Sequence, residues 1–373
     1  MWLLLSGLLS AQASTAIRSA AVFHDDQPHG QVESIDPSVH VLSWPFCPSY
    51  QVSCQELAWV EIGVSVDAYV ARRNGPHAQA SELIATSQQD LEPLARALEA
   101  FFTEQGITSD AVKVGYVQGI SQSLDYHLDA ETGWTEYPKY AVEMLVDEQG
   151  DCDDAAILMS ALLLELGYTP YLMRWRKQEG PGGHLSTALL RSVGDLSSVE
   201  PPAGSPLIEG PEGRVFLHVD GTGTIGGCTR GCTDLGWNGW LDKGMVLEAV
   251  VAADDPLLDS DLPLRAWNND NHFFPSRQTS DRRGADPEDI LRQLERWDWE
   301  ERTLRRLERL GREEPEQWLQ ERRPSPVGDS TWLMLSGAMG LGLLSMGVVA
   351  FRARQRRLAH AERLAAERRK QEF

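Results

Sequence analysis

From Trp59 the apolar residues Val60, Ile62, Val64 and Val66 alternate with Glu61, Gly63 and Ser65, the period-two pattern of a half-buried strand. Ordered structure is expected to begin there. The preceding stretch, 17–58, is punctuated by Asp25-Asp26-Gln27-Pro28 and Asp36-Pro37 and reads as an irregular lead-in. Leu91, Leu94, Leu98 and Phe101 recur at helical spacing between Asp90 and Phe102, and Val112 to Leu124 repeats the pattern less cleanly, so two helices are expected before the turn-rich run from Thr132 to Pro138. Ala155 to Leu166 is rich in Ala and Leu and stops at Gly167, which predicts a buried helix with a glycine C-terminal signal. Three apolar runs follow, Tyr168 to Trp175, Leu185 to Leu190 and Val215 to Val219, separated by a Pro/Gly/Ser-rich loop from Ser192 to Gly213. A helix followed by a sheet is therefore predicted, an α+β arrangement.

Beyond Ala252 the pattern changes. Residues 253–285 carry Asp and Pro as a linker would, and from Asp286 a charged helix starts with Pro287 in its first turn. Ile290, Leu294, Trp297, Leu304 and Leu307 give it a narrow apolar seam, so 286–329 reads as a stalk with an edge suited to self-association. Trp332 to Phe351 holds no charge, and ~20 residues cross a ~30 Å hydrocarbon core. The basic residues from Arg352 onward place 352–373 on the cytoplasmic side of a transmembrane helix at 330–351. At the other end, the apolar run Trp2 to Leu9 and the small residues Ala11-Gln12-Ala13 give 1–16 the form of a secretory signal, although no Lys or Arg precedes the run.

Composition narrows the classes of function. The chain has 373 residues, 42% of them hydrophobic, enough for one substantial core. Its formal charge of -21 argues against duplex nucleic acid as a partner, because that binding needs a surface that neutralises phosphates. Cys47 and Cys54 are close in sequence, as are Cys228 and Cys232, and Cys152 stands alone. Two local disulfides and one free thiol is the simplest reading in an exported body. A zinc site is the rival, but neither pair has two-residue spacing and no His pair accompanies them. No glycine pattern for phosphate, flavin or nicotinamide is present, and no cofactor is expected.

Candidate chemistry gathers around the lone thiol. Gly150-Asp151-Cys152-Asp153-Asp154 opens the Ala/Leu helix, where unpaired backbone N–H groups and the helix dipole favour a thiolate. Asp153 and Asp154 oppose that by charge. A buried structural cysteine is the ordinary reading of one Cys on a helix. What changes it is Gly182-Gly183-His184 opening one apolar run and His218-Val219-Asp220-Gly221-Thr222 closing another. Cys152, His184 and Asp220 supply a nucleophile, its base and the group that orients the base. His218 is either a wall of that site or a satisfied core histidine, the second being favoured.

These three segments, in this order, resemble the signatures of the transglutaminase-like superfamily. Tyr137-Pro138-Lys139-Tyr140 followed by Glu143-Met144-Leu145 resembles its membrane-linked bacterial and archaeal branch. The likeness covers roughly Trp59 to Gly226. It implies a papain-like fold over 59–252, with the thiol on a central helix packed against an antiparallel sheet bearing His184 and Asp220. It also implies thiol-dependent acyl transfer on a protein or peptide, with Gln122 either donating to the oxyanion beside the backbone N–H of Cys152 or lying as an ordinary glutamine on a helix surface. Leu185-Ser186-Thr187 follows the histidine where many relatives carry an aromatic. A non-catalytic envelope module with the same fold is the competing class.

Overall fold

The computed structural model describes residues 15–261, except for 25–31, 33–37, 49–56, 78, 129–136, 180–182, 203–204, 206, 223–234, 237–243 and 257. Residues 1–14 of the expected signal, the stalk, the uncharged run Trp332 to Phe351 and the basic tail lie outside the described residues; the last two positions given to the signal, Thr15 and Ala16, are described, and Ala16 is buried in the fold. Among the described residues no helix is long and apolar enough to cross a membrane.

Two antiparallel sheets, a short two-stranded parallel pair and a set of helices make up the described part. The first sheet has the order β1-β3-β2, from β1 (Ile17–His24), β2 (Val39–Phe46) and β3 (Ala58–Ser65). The lead-in reading of 17–58 is thereby corrected, since both flanking strands come from it. The predicted strand is also buried along its whole length rather than on one face. It is the centre of the sheet, and its Glu61 lies inside, accepting from Val32 N at 3.1 Å and Ser43 Oγ at 3.4 Å. Pro45 stands in β2, an edge strand, where a missing N–H is tolerated.

Ser65 caps α1 (Val66–Arg73) by accepting from Ala68 N, and α2 (Ala80–Glu104) runs ten residues further toward the N-terminus than expected. Next come α3 (Asp110–Gln122), the two-residue strand β4 (Asp125–Tyr126), α4 (Ala141–Asp147) and β5 (Gln149–Gly150), which pairs parallel with β4. The central helix α5 (Cys152–Glu165) packs on α2, α3 and α4. Its end follows the sequence signal: Gly167 takes φ +82°, and Tyr168 N donates to Leu163 O at 3.0 Å.

The second sheet has the order β10-β6-β7-β9-β8, antiparallel throughout, from β6 (Tyr171–Lys177), β7 (Gly183–Leu190), β8 (Ile208–Glu209), β9 (Val215–Val219) and β10 (Met245–Ala252). The chain is thus α+β, as expected. The loop from Ser192 to Gly213 contains β8 and two short 3-10 turns, and α6 (Leu258–Asp261) opens the expected linker by packing on α2. Strand alternation divides the second sheet's side chains. Leu185, Leu189, Leu217 and Val219 join the main core under α5, whereas Met173, Trp175, Ala188 and Phe216 form a second apolar cluster.

Candidate active site

Cys152 is the first residue of α5, held there by a capping box. The Asp151 side chain accepts from the Asp154 backbone N–H, and the Asp154 carboxylate accepts from Asp151 N at 3.1 Å. The other Asp154 oxygen accepts from Lys139 N at 2.6 Å. A Cβ at position 150 would lie 2.7 Å from Asp154 Oδ2, which explains the glycine before the acidic turn. Cys152 is half-buried and forms no disulfide, whereas Cys47 is disulfide-bonded. Cys54, Cys228 and Cys232 lie outside the described residues.

His184 is the second residue of β7, and Asp220 directly follows the last residue of β9. These strands are neighbours, and the histidine Nε2 lies 3.1 Å from Asp220 Oδ2, both side chains being buried. The other Asp220 oxygen accepts from Thr222 N at 2.9 Å and Thr222 Oγ1 at 2.5 Å. Burial alone would raise this carboxyl. The charge and hydrogen bond of His184, the charge of His218 and the hydrogen bond of Thr222 outweigh it and hold Asp220 well below the usual carboxylate range.

The strand bearing His184 and the turn after Asp220 both press on the beginning of α5. Thr187 Oγ1 donates to Ala156 O at 3.4 Å. At Gly221 an added Cβ would meet Ser121 Oγ at 2.5 Å, Met159 Sδ at 2.7 Å and Ala155 Cβ at 3.0 Å. Ala155 lies one turn beyond Cys152, so only glycine lets the Asp220 turn sit this close to the helix start. Tyr126 reports the same neighbourhood. Burial and then the charges of Cys152, Asp151, Asp153 and Asp220 push its hydroxyl far up, so it stays a neutral donor.

Gln122 is brought to Asp220, but to its backbone: the Gln122 and Gln118 amides donate to Asp220 O at 2.8 and 3.0 Å. One turn of α3 separates the two glutamines, a spacing readable in the sequence although Gln118 was not singled out. His218 is buried, with Nε2 2.7 Å from Ser186 Oγ, which also accepts from Trp175 Nε1 at 2.9 Å. It is a satisfied core histidine. Tyr126, Lys139 and Asp154 complete the surroundings; Lys139 and Asp154 belong to segments singled out in the sequence, whereas Tyr126 belongs to none. The donor atoms of Asp151, Cys152 and Asp153 lie within 4.8 Å of one another, as three consecutive residues of one tight turn can.

No protein-family model matches the chain, nor does any curated protein. Among solved structures, a protein from Cytophaga hutchinsonii described as a "Putative Cysteine Protease" is similar at 14% identity, over 66% of this chain and 75% of that one, with a TM-score of 0.26. A likeness of that size bears no weight on the chemistry.

Proposed function

We propose that the chain is a thiol-dependent acyl-transfer enzyme acting on peptide or amide substrates, with a papain-like arrangement of the transglutaminase-like kind. The observation that carries this reading is the buried contact of His184 Nε2 with Asp220 Oδ2 at 3.1 Å, with the strand of the histidine packed against the helix that Cys152 begins. With Nε2–H donating to the carboxylate, Nδ1 is the nitrogen on which proton exchange falls.

In the reaction the Cys152 sulfur attacks the amide carbonyl carbon and gives up its proton to His184. A C–S bond forms, the C–N bond breaks, and the amine departs with the proton from His184. Water then attacks the thioester, returning the thiol and releasing an acid; an amine in place of water would give transamidation. The resemblance to bacterial and archaeal relatives favours hydrolysis. Asp220 keeps the imidazole in the required tautomer. The backbone N–H of Cys152 is one oxyanion donor, and Gln122, whose amide is anchored on Asp220 O, stands as the candidate second.

The disulfide at Cys47 supports an oxidising, extracytoplasmic setting. The uncharged run Trp332 to Phe351 and its basic flank support a single-pass membrane anchor. To test the chemistry, full-length protein is treated with an electrophilic thiol probe and the labelled peptide is identified by mass spectrometry. Rapid labelling of Cys152 is expected, slowed tenfold or more by His184→Gln. Equal rates in the two proteins would remove the enzyme reading and leave a binding module.

A further inference from the structure

The turn that carries Cys152 has an electrostatic problem of its own. Asp151, Asp153 and Asp154 surround the sulfur in sequence, all three are buried, and each negative charge opposes a thiolate. A helix N-terminus offsets only part of this. The compensating group comes from behind the turn. Lys139 is 6% exposed, far less than an ordinary lysine, and its ammonium has one carbonyl and two carboxylates within 4.0 Å. Nζ donates to Gln149 O at 2.7 Å and lies 3.4 Å from Asp147 Oδ2 and 4.0 Å from Asp154 Oδ2. Its own backbone N–H donates to Asp154 Oδ1.

Asp147 is in turn matched from α1. It accepts from Tyr69 Oη at 2.8 Å and from Arg73 at 3.1 Å, and Arg73 also donates to Tyr69 Oη at 2.6 Å. Burial would lower Arg73, but Asp147 and Tyr69 hold its guanidinium above the usual range, so it remains a full cation. Two cations and two carboxylates therefore form one chain from α1 through the end of α4 to the first turn of α5. With Asp147 answered by Arg73, the charge of Lys139 is available to Asp154.

We propose that Lys139 is a positioning residue of the nucleophile turn, the buried counter-ion through Asp154 that lets so acidic a turn hold a reactive thiolate. The inference rests on the reading of Cys152 as nucleophile and adds the source of its compensation. It also gives Tyr137-Pro138-Lys139-Tyr140 a physical task, because Tyr137 fixes the segment by donating to the buried Glu143 at 2.8 Å.

The test is the rate of Cys152 alkylation by iodoacetamide at neutral pH in full-length protein, followed by peptide mass spectrometry. Lys139→Met is expected to slow it about tenfold, the equivalent of one pH unit of thiolate population. Lys139→Arg, keeping the charge, should recover most of the rate. Lys139→Met with Asp154→Asn, which removes the orphaned charge as well, should also recover it. Lys139→Gln, neutral but still able to donate to Gln149 O, should slow it as Lys139→Met does, and serves if Lys139→Met does not fold. Lys139→Met or Lys139→Gln reacting at the wild-type rate, or a double variant no faster than Lys139→Met, would each overturn the proposal. Wild-type Cys152 reacting no faster than a small model thiol would instead count against the nucleophile reading.

Discussion

Replacing Asp220 by asparagine keeps the shape of the side chain and removes its charge. The carboxylate is 2% exposed, with His184 on one oxygen and Thr222 N and Oγ1 on the other. Asparagine still accepts from Thr222 through Oδ1, and the grip of Gln118 and Gln122 on the backbone carbonyl is unchanged. What is lost is the charged partner of the imidazole. A hydrogen bond to a buried charged group contributes about 1.5–3 kcal/mol, so a loss of about 2–3 kcal/mol is expected at pH 7. In melting temperature that is roughly 5–10 °C for a core of this size.

The pH dependence gives the sharper check, because the folded carboxyl is held below its unfolded value of about 3.9. For a depressed acid the contribution is fully present above the unfolded pKa and is lost as pH falls through it toward the folded one. The gap between wild type and Asp220→Asn should stay constant from pH 7 to 5, then shrink by about 1.4 kcal/mol per pH unit below about 3.9. Urea unfolding followed by tryptophan fluorescence at pH 7, 5 and 3 measures it. Equal stabilities at pH 7, or a gap at pH 3 as wide as at pH 7, would refute the reasoning.

Gly221→Ala forces a methyl group against Ser121, Met159 and Ala155 and is expected to cost about 1–3 kcal/mol in thermal stability. It should also slow Cys152 labelling, because the Asp220 turn must retreat from α5. Gly119→Ala should be at least as harmful, since the nearest obstacle, 2.3 Å away, is the backbone carbonyl of Cys47 rather than a side chain that could swing aside. Gln118→Met and Gln122→Met each leave the Asp220 carbonyl one donor, so chemical denaturation should find losses near 1 kcal/mol singly. The double variant should exceed the sum, as residues sharing one partner do.

Much of the centre was legible in the sequence because its signals are local. The acidic turn before an Ala/Leu run, the glycine that stops the helix, and the apolar runs carrying His184 and Asp220 each needed only neighbouring residues to be recognised. The outer parts were not, for two physical reasons. The strands at Ile17–His24 and Val39–Phe46 are strands because the buried strand between them offers a ladder on each edge, a non-local cause hidden behind Asp and Pro punctuation. The edge strand Met245–Ala252, which pairs with Tyr171–Lys177, was missed for the same reason.

Charged residues misled in the other direction. Glu61, Asp90 and Lys139 look like solvent-facing positions, yet each is buried beside a specific partner, as Asp90 is with Arg72 Nε at 2.7 Å. Pairing of that kind depends on residues far away in the chain, and spacing along the sequence does not reveal it.

The alternating pattern at Trp59 invites an expression clone that begins there. Such a clone would discard both outer strands and turn the middle of a sheet into bare, unpaired edges. It would also strip away the peptide at Ala16, whose N–H reaches the buried Asp90 carboxylate at 2.7 Å and whose carbonyl receives Ser65 N at 2.8 Å. The shortest fragment worth purifying therefore starts no later than Ala16, well over a hundred residues ahead of the sulfur it is meant to present.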